Sequence, residues 1–114
     1  MEITRMSHRA ASHVSSTSRP LPLRMRPDLT ARRHSYQGRQ YWVLKDPVAL
    51  KYFRFEDEEY AILQWLDGAA SLDQIKRRFD QRFAPQKIAL AELHQFLGTL
   101  HRSALVVLMA VWRK

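Results

Sequence analysis

The chain has no cysteine, which removes disulfide frameworks and thiolate metal sites. Glycine is nearly as scarce: only Gly38, Gly68 and Gly98 occur, and none cluster. A phosphate-cradling loop needs several glycines within a few residues, so that class of nucleotide site is excluded. Long apolar runs are missing too. The longest, residues 104–112, falls well short of the about 20 residues a spanning helix requires. The leading residues lack the apolar stretch of a secretory signal. These absences lead to the expectation of a cytoplasmic protein with no membrane span in this chain.

Acidic residues are short in one part of the chain. Residues 1–40 hold eight arginines against Glu2 and Asp28, whereas the remainder holds eleven Lys and Arg against nine acids. The formal net charge of +8 therefore sits mostly in the leading segment. Residues 1–25 combine Ser, Thr, Arg and His with few apolar anchors and no sustained period. Such composition buries too little surface to offset the entropy of ordering, so the segment reads as a disordered basic tail. It is either a solvated leader or a weak anchor for an acidic partner or a membrane surface.

What is present is a small globular domain. With 114 residues, 46% hydrophobic and 11% aromatic, the chain has room for one domain and a tail. The domain spans residues 26–106, and residues 107–114 are left uncertain. Residues 30–36 form a first strand, and Gln37-Gly38-Arg39 makes a tight turn. Residues 40–45, with Tyr41-Trp42-Val43-Leu44, form a second strand. Asp46-Pro47 interrupts the pairing. Residues 50–55 form a third strand, with Phe53 and Phe55 on one face and Tyr52 and Arg54 on the other.

Three helices follow. The first covers residues 57–67, preceded by an acidic run that suits the positive end of a helix and stopped at Gly68. The second opens with Ser71-Leu72-Asp73-Gln74, a capping box, and carries Leu72, Ile75 and Phe79 on one stripe. The third covers residues 90–103, with Leu90, Leu93, Phe96, Leu97 and Leu100 on one face and no capping side chain at Ala89. The apolar segment from Leu105 to Trp112 extends the third helix, forms a final strand, or remains an exposed end. The fold class is α+β, a three-stranded antiparallel sheet followed by three helices.

Catalytic constellations are hard to find in this sequence. His94 and His101 lie seven apart, without the i, i+4 pairing and supporting carboxylate of a zinc helix. Glu56, Asp57, Glu58 and Glu59 are adjacent at a helix start, where carboxylates serve capping and the dipole. No nucleophile–base–acid set stands out. The chain is therefore read as a non-enzyme with no metal and no cofactor. Three helices and a small sheet also form the winged-helix plan, which places Arg, Lys, Asn or Gln against base edges. The third helix offers only Gln95 and Arg102. Lys76, Arg77, Arg78 and Arg82 of the second serve phosphate contact or a solvated face. Nucleic acid is not the expected partner, and a winged-helix DNA binder is kept as the competing reading.

The order of elements resembles the PqqD-like peptide chaperones, the recognition elements of ribosomally made, modified peptides. The residues that carry the likeness are Pro27-Asp28-Leu29, Val43-Leu44-Lys45-Asp46-Pro47 and Tyr52-Phe53-Arg54-Phe55. Tyr60-Ala61-Ile62-Leu63-Gln64-Trp65-Leu66-Asp67-Gly68, Ser71-Leu72-Asp73-Gln74-Ile75, Phe96-Leu97 through Leu100, and Ala104-Leu105-Val106 complete it. The chain departs from the pattern at Ala104, where the family often has Gly, and after Val106. The resemblance implies a winged-helix-like fold and a leader or substrate peptide bound as an added strand on the third strand, against the third helix. By the matching positions, Lys51, Tyr52, Phe53, Arg54 and Phe55 make the strand contact, and Leu93, Leu97, Leu100 and His101 line the groove. Lys51 and Arg54 would pair with acidic residues of the peptide. The implied partners are that peptide and a modifying enzyme, or a membrane peptidase or transporter. Versions of the module also front longer membrane metallopeptidases and secretion adaptors, so a truncated front domain is a further alternative.

Overall fold

The computed structural model describes residues 17–109. A short strand β1 (Leu23–Met25) precedes a meander of β2 (Thr30–Tyr36), β3 (Arg39–Asp46) and β4 (Lys51–Phe55). Helices α1 (Asp57–Trp65), α2 (Leu72–Arg82) and α3 (Leu90–Arg102) follow, and β5 (Val106–Leu108) closes the described chain. The fold is α+β, with a three-stranded antiparallel sheet in the order β2-β3-β4 and three helices, plus a two-stranded ribbon of β1 and β5.

Alternation along β3 decides which face of the sheet is covered. Leu44 and Asp46 are buried and Trp42 is half-buried, and their partners in register are Phe53 opposite Leu44 and Phe55 opposite Trp42. These side chains meet Tyr60, Ile62, Leu63 and Leu66 of the α1 region, Ile75 and Phe79 of α2, and Leu93, Leu97 and Leu100 of α3 in one core. The ring of Trp42 stacks on Tyr60 with centroids 4.3 Å apart. Its indole N–H donates to Asp57 at 2.8 Å, and Arg33 donates to the same carboxylate at 3.1 Å. Asp57 thus ties the sheet to the first turn of α1, where a carboxylate also favours the helix dipole.

The hand-off from β4 to α1 has no loop, only Glu56, whose backbone N–H donates to the Glu59 side chain at 2.9 Å. The capping box expected at α2 is present: Gln74 N–H donates to the Ser71 hydroxyl at 3.1 Å, and Ser71 N–H donates to the Gln74 side chain at 2.9 Å. At α3 the carboxylate of Glu92 accepts from Ala89 N–H at 2.9 Å, half of the same arrangement without a capping side chain. The β2–β3 turn places Gln37 at φ 51° and Gly38 at φ 77°, the two left-handed residues of the hairpin turn whose twist matches the flanking strands.

Two boundaries differ from the sequence reading, and one open choice is decided. Helix α1 ends at Trp65 rather than residue 67, because the Asp67 side chain takes the N–H groups of Ala69 and Ala70, both at 2.9 Å, into a local turn. Gly68 still adopts a positive φ of 84°, but it donates its N–H to Leu23 of β1 at 2.9 Å instead of ending the helix. Residues 17–25 are not a tail. β1 pairs with β5, Leu23 opposite Leu108 and Met25 opposite Val106, and Leu21, Leu23 and Met25 pack against the core. Burial of these alternating apolar side chains supplies the free energy that composition alone did not suggest. Of the three options for the C-terminal stretch, the chain forms a strand, β5. The rest of the expected tail, residues 1–16, and residues 110–114 lie outside the described residues.

Arg26 closes this end of the molecule. Its guanidinium bonds both oxygens of Asp46 at 2.8 and 3.0 Å, Asp28 at 2.6 Å, and the Ala104 carbonyl at 2.9 Å. One side chain thereby joins the exit of β1, the end of β3 and the turn into β5. The planar fork suits such bidentate contact better than a lysine would.

Candidate functional site

Among the described residues, no strand pairs with the outer edge of β4. Its backbone N–H and C=O groups along that edge are a template for an added strand. β2 is the other edge of the sheet, but every residue of β2 is exposed and it carries Arg32, Arg33 and His34, which is how a sheet edge is ordinarily guarded. β4 differs because apolar side chains flank it.

Register sorts the five expected strand residues onto two faces. Lys51, Phe53 and Phe55 are on the helical side, Lys51 exposed at the end of the strand and the two phenylalanines half-buried, whereas Tyr52 and Arg54 are exposed on the other. Arg54 lies over the ring of Tyr41 at 4.9 Å, and Lys45 lies over Tyr52 at 5.8 Å. Both contacts are on the outer face of the sheet, so Arg54 meets outward side chains of an added strand rather than those turned toward α3.

The groove residues expected on α3 require a correction. Leu93, Leu97 and Leu100 are 0%, 5% and 1% exposed; they belong to the core that also holds side chains of α1, α2 and β3 and do not line an open surface. His101 is exposed near the end of α3, as is His94. The α3 side chain that does reach β4 is Phe96, whose ring meets Phe55 edge-on at 6.2 Å. No Cα of α3 comes within 8 Å of a Cα of β4, so the two elements stand apart and touch through these rings.

Beside this pair lies a depression of about 230 Å³ whose apolar surface includes Ile62, Phe79, Ile88 and Phe96, with Glu56 and Glu92 among its charged residues. Phe96 sat in the apolar stripe of α3 in the sequence, yet nothing in a linear pattern separates the member at the edge of the stripe from those at its centre. A second depression, of about 490 Å³, lies on the outer face of the sheet and includes Arg32, Lys45 and Tyr52.

The electrostatics of the described residues are largely structural. Arg26 and the backbone N–H groups of Ala49 and Val48 hold the Asp46 carboxyl down to about 2. Arg26 likewise lowers Asp28, the N–H groups of Ala69 and Ala70 lower Asp67, and Lys76 followed by Ile88 N–H lowers Asp80. Burial raises the Tyr60 phenol. No buried side-chain nitrogen or oxygen among the described residues lacks a hydrogen-bond partner. None of their clusters gathers three His, Asp or Glu side chains around a point that would hold a metal.

The basic run on α2 is divided by its own contacts. Lys76 donates to Asp80 at 2.6 Å and to the Ile88 carbonyl at 2.8 Å, pinning the α2–α3 connection. Arg82 covers Phe83 at 5.2 Å. Arg77, Arg78 and Arg82 remain exposed, so Lys76 alone is drawn from the cationic face by its partners. No helix among the described residues is long and apolar enough to cross a membrane. No protein family, curated protein or solved structure matches the chain.

Proposed function

We propose that this chain is a non-catalytic peptide-binding module of the PqqD-like kind, acting in the cytoplasm. It captures an extended leader or substrate peptide as an added strand on β4 and presents it to a modifying or exporting enzyme. The observation that carries this reading is the unpaired edge of β4 beside the Phe55–Phe96 contact. Backbone pairing gives affinity that tolerates many sequences, and alternate side chains give selectivity. Peptide residues turned inward meet Phe53, Phe55 and Phe96, which favours apolar side chains. Those turned outward meet Tyr52 and Arg54, which favours acidic or aromatic ones.

The test is an amide-resolved titration of labelled protein with extended peptides that alternate apolar and acidic residues. Shifts concentrated at residues 51–55 are expected, and Arg54→Glu should reverse the preference from acidic to basic peptides. Binding that leaves those amides unmoved, or shifts confined to the face of α2 with Arg77 and Arg78, would overturn the assignment.

A further inference from the structure

The turn between β3 and β4 exposes two aliphatic side chains that the core never uses. Val48 is 79% and Leu50 72% exposed, in the sequence Pro47-Val48-Ala49-Leu50. This turn is firmly built. One oxygen of Asp46 accepts the N–H groups of Val48 at 3.0 Å and Ala49 at 3.1 Å. Leu50 N–H donates to the Asp46 carbonyl at 2.8 Å, and Asp46 is itself held by Arg26. Leu50 sits at φ 57°, a left-handed conformation unfavourable for a side chain other than Gly, Asn or Asp. The fold therefore tolerates backbone strain to hold two apolar groups in water.

The outer face of the sheet beside the turn carries cations. The outer-face depression next to the turn is lined by Thr30, Arg32, His34, Lys45 and Tyr52, with Pro47 of the turn at its border. Asp46 at the base of the turn and Asp28 are both engaged by Arg26. Tyr52, 67% exposed, is an aromatic ring with a polar tip, the kind of side chain enriched where a bilayer meets water.

We propose that this end of the sheet docks on an anionic lipid bilayer, with Val48 and Leu50 entering the acyl boundary and Arg32 and Lys45 on lipid phosphates. The depression takes one headgroup, and Tyr52 lies at headgroup level. Apolar insertion and charge attraction together are what peripheral membrane contacts use. Other occupants leave part of the surface unexplained. A nucleic acid would pair with the cations and leave Val48 and Leu50 in water. A second copy docking the same patch through a two-fold axis would set the cationic patch of Arg32 and Lys45 against itself. Only two aliphatic side chains insert, so the contact is reversible. The inference does not depend on strand addition at β4.

The test is sedimentation of the full chain with vesicles of equimolar phosphatidylglycerol and phosphatidylcholine, and with phosphatidylcholine alone. Binding is expected to the mixed vesicles and not to the neutral ones. The double change Val48→Ser with Leu50→Asn should lower partitioning about tenfold, because most of the inserted apolar area is gone, with an unchanged circular dichroism spectrum. Arg32→Gln with Lys45→Gln should lower it about 25-fold, near fivefold for each cation, and flatten the salt dependence. Three results overturn the proposal: equal binding of the Val48/Leu50 variant, which assigns any attraction to undirected charge such as that of the leading arginines; equal binding to neutral vesicles; or self-association abolished by the same variant without vesicle binding.

Discussion

Replacing Leu50 by asparagine should stabilise this protein, although it removes an apolar side chain. At φ 57° a leucine carries the left-handed penalty of roughly 1–2 kcal/mol, and asparagine relieves much of it because its short polar side chain tolerates that region. The loss on the other side is small. Leu50 is 72% exposed, so little more than a quarter of the roughly 1.5–3 kcal/mol for full burial is in play, about 0.6 kcal/mol. The expected net gain is about 0.5 kcal/mol, or about 2–4 °C in Tm for a domain of this size. Leu50→Gly relieves the strain more fully but frees the unfolded chain by about 0.4–1 kcal/mol, so it should end near the wild type. Leu50→Val, β-branched in the same conformation, should be the least stable of the set. Thermal unfolding of the variants, with Val48→Asn as a control for removing an exposed aliphatic side chain, gives the comparison. If Leu50→Asn loses stability by as much as Val48→Asn, the strain argument is wrong. If it gains stability while losing vesicle binding, the turn trades stability for contact.

Other outcomes follow from the same contacts. Ser71→Ala should destabilise the domain by about 1 kcal/mol through loss of the α2 cap, visible in urea unfolding as a lower midpoint with an unchanged slope. Leu105→Ala should cost about 2–5 kcal/mol, since Leu105 is fully buried where α3 turns into β5; a smaller effect would mean that the β1–β5 ribbon is not integral to the core. The carboxyl of Asp46 is depressed to about 2 in the folded chain, below its unfolded value of about 3.9. Its contribution is therefore fully present above about pH 4 and is lost as pH falls through about 2. Acid unfolding followed by circular dichroism should begin in that window, and Asp46→Asn should flatten the dependence there, leaving the smaller parts from Asp28, Asp67 and Asp80.

How far the sequence led can be traced element by element. The meander was readable because Phe53 and Phe55 alternate with Tyr52 and Arg54, and because Gly38 marks the hairpin. The start of α2 was readable because a capping box is local chemistry, complete within four residues. The docking of β1 was missed, although Leu21, Leu23 and Met25 alternate with Pro22 and Arg24. Three alternating residues are too few to outweigh the surrounding Ser, Arg and Pro, and the strand has no partner until β5 arrives from more than 80 positions away. The α3 stripe was found but its members were misassigned: a helical period names a face, while depth within the face depends on what packs against it. Leu93, Leu97 and Leu100 are therefore core, and Phe96, at the margin, is the side chain that meets β4.

The sequence by itself determined the periods, caps and turns, hence three strands, three helices and the apolar face of each, because those properties are settled within a few neighbouring residues. Tertiary structure alone decided the rest. It joined the two ends of the described chain into a ribbon, gathered Asp46 and Ala104 on Arg26, set Phe96 against Phe55, and put the turn of Val48 and Leu50 beside Arg32. Each of these is a juxtaposition of groups distant in sequence, set by which buried surfaces fit together, and no local pattern encodes it.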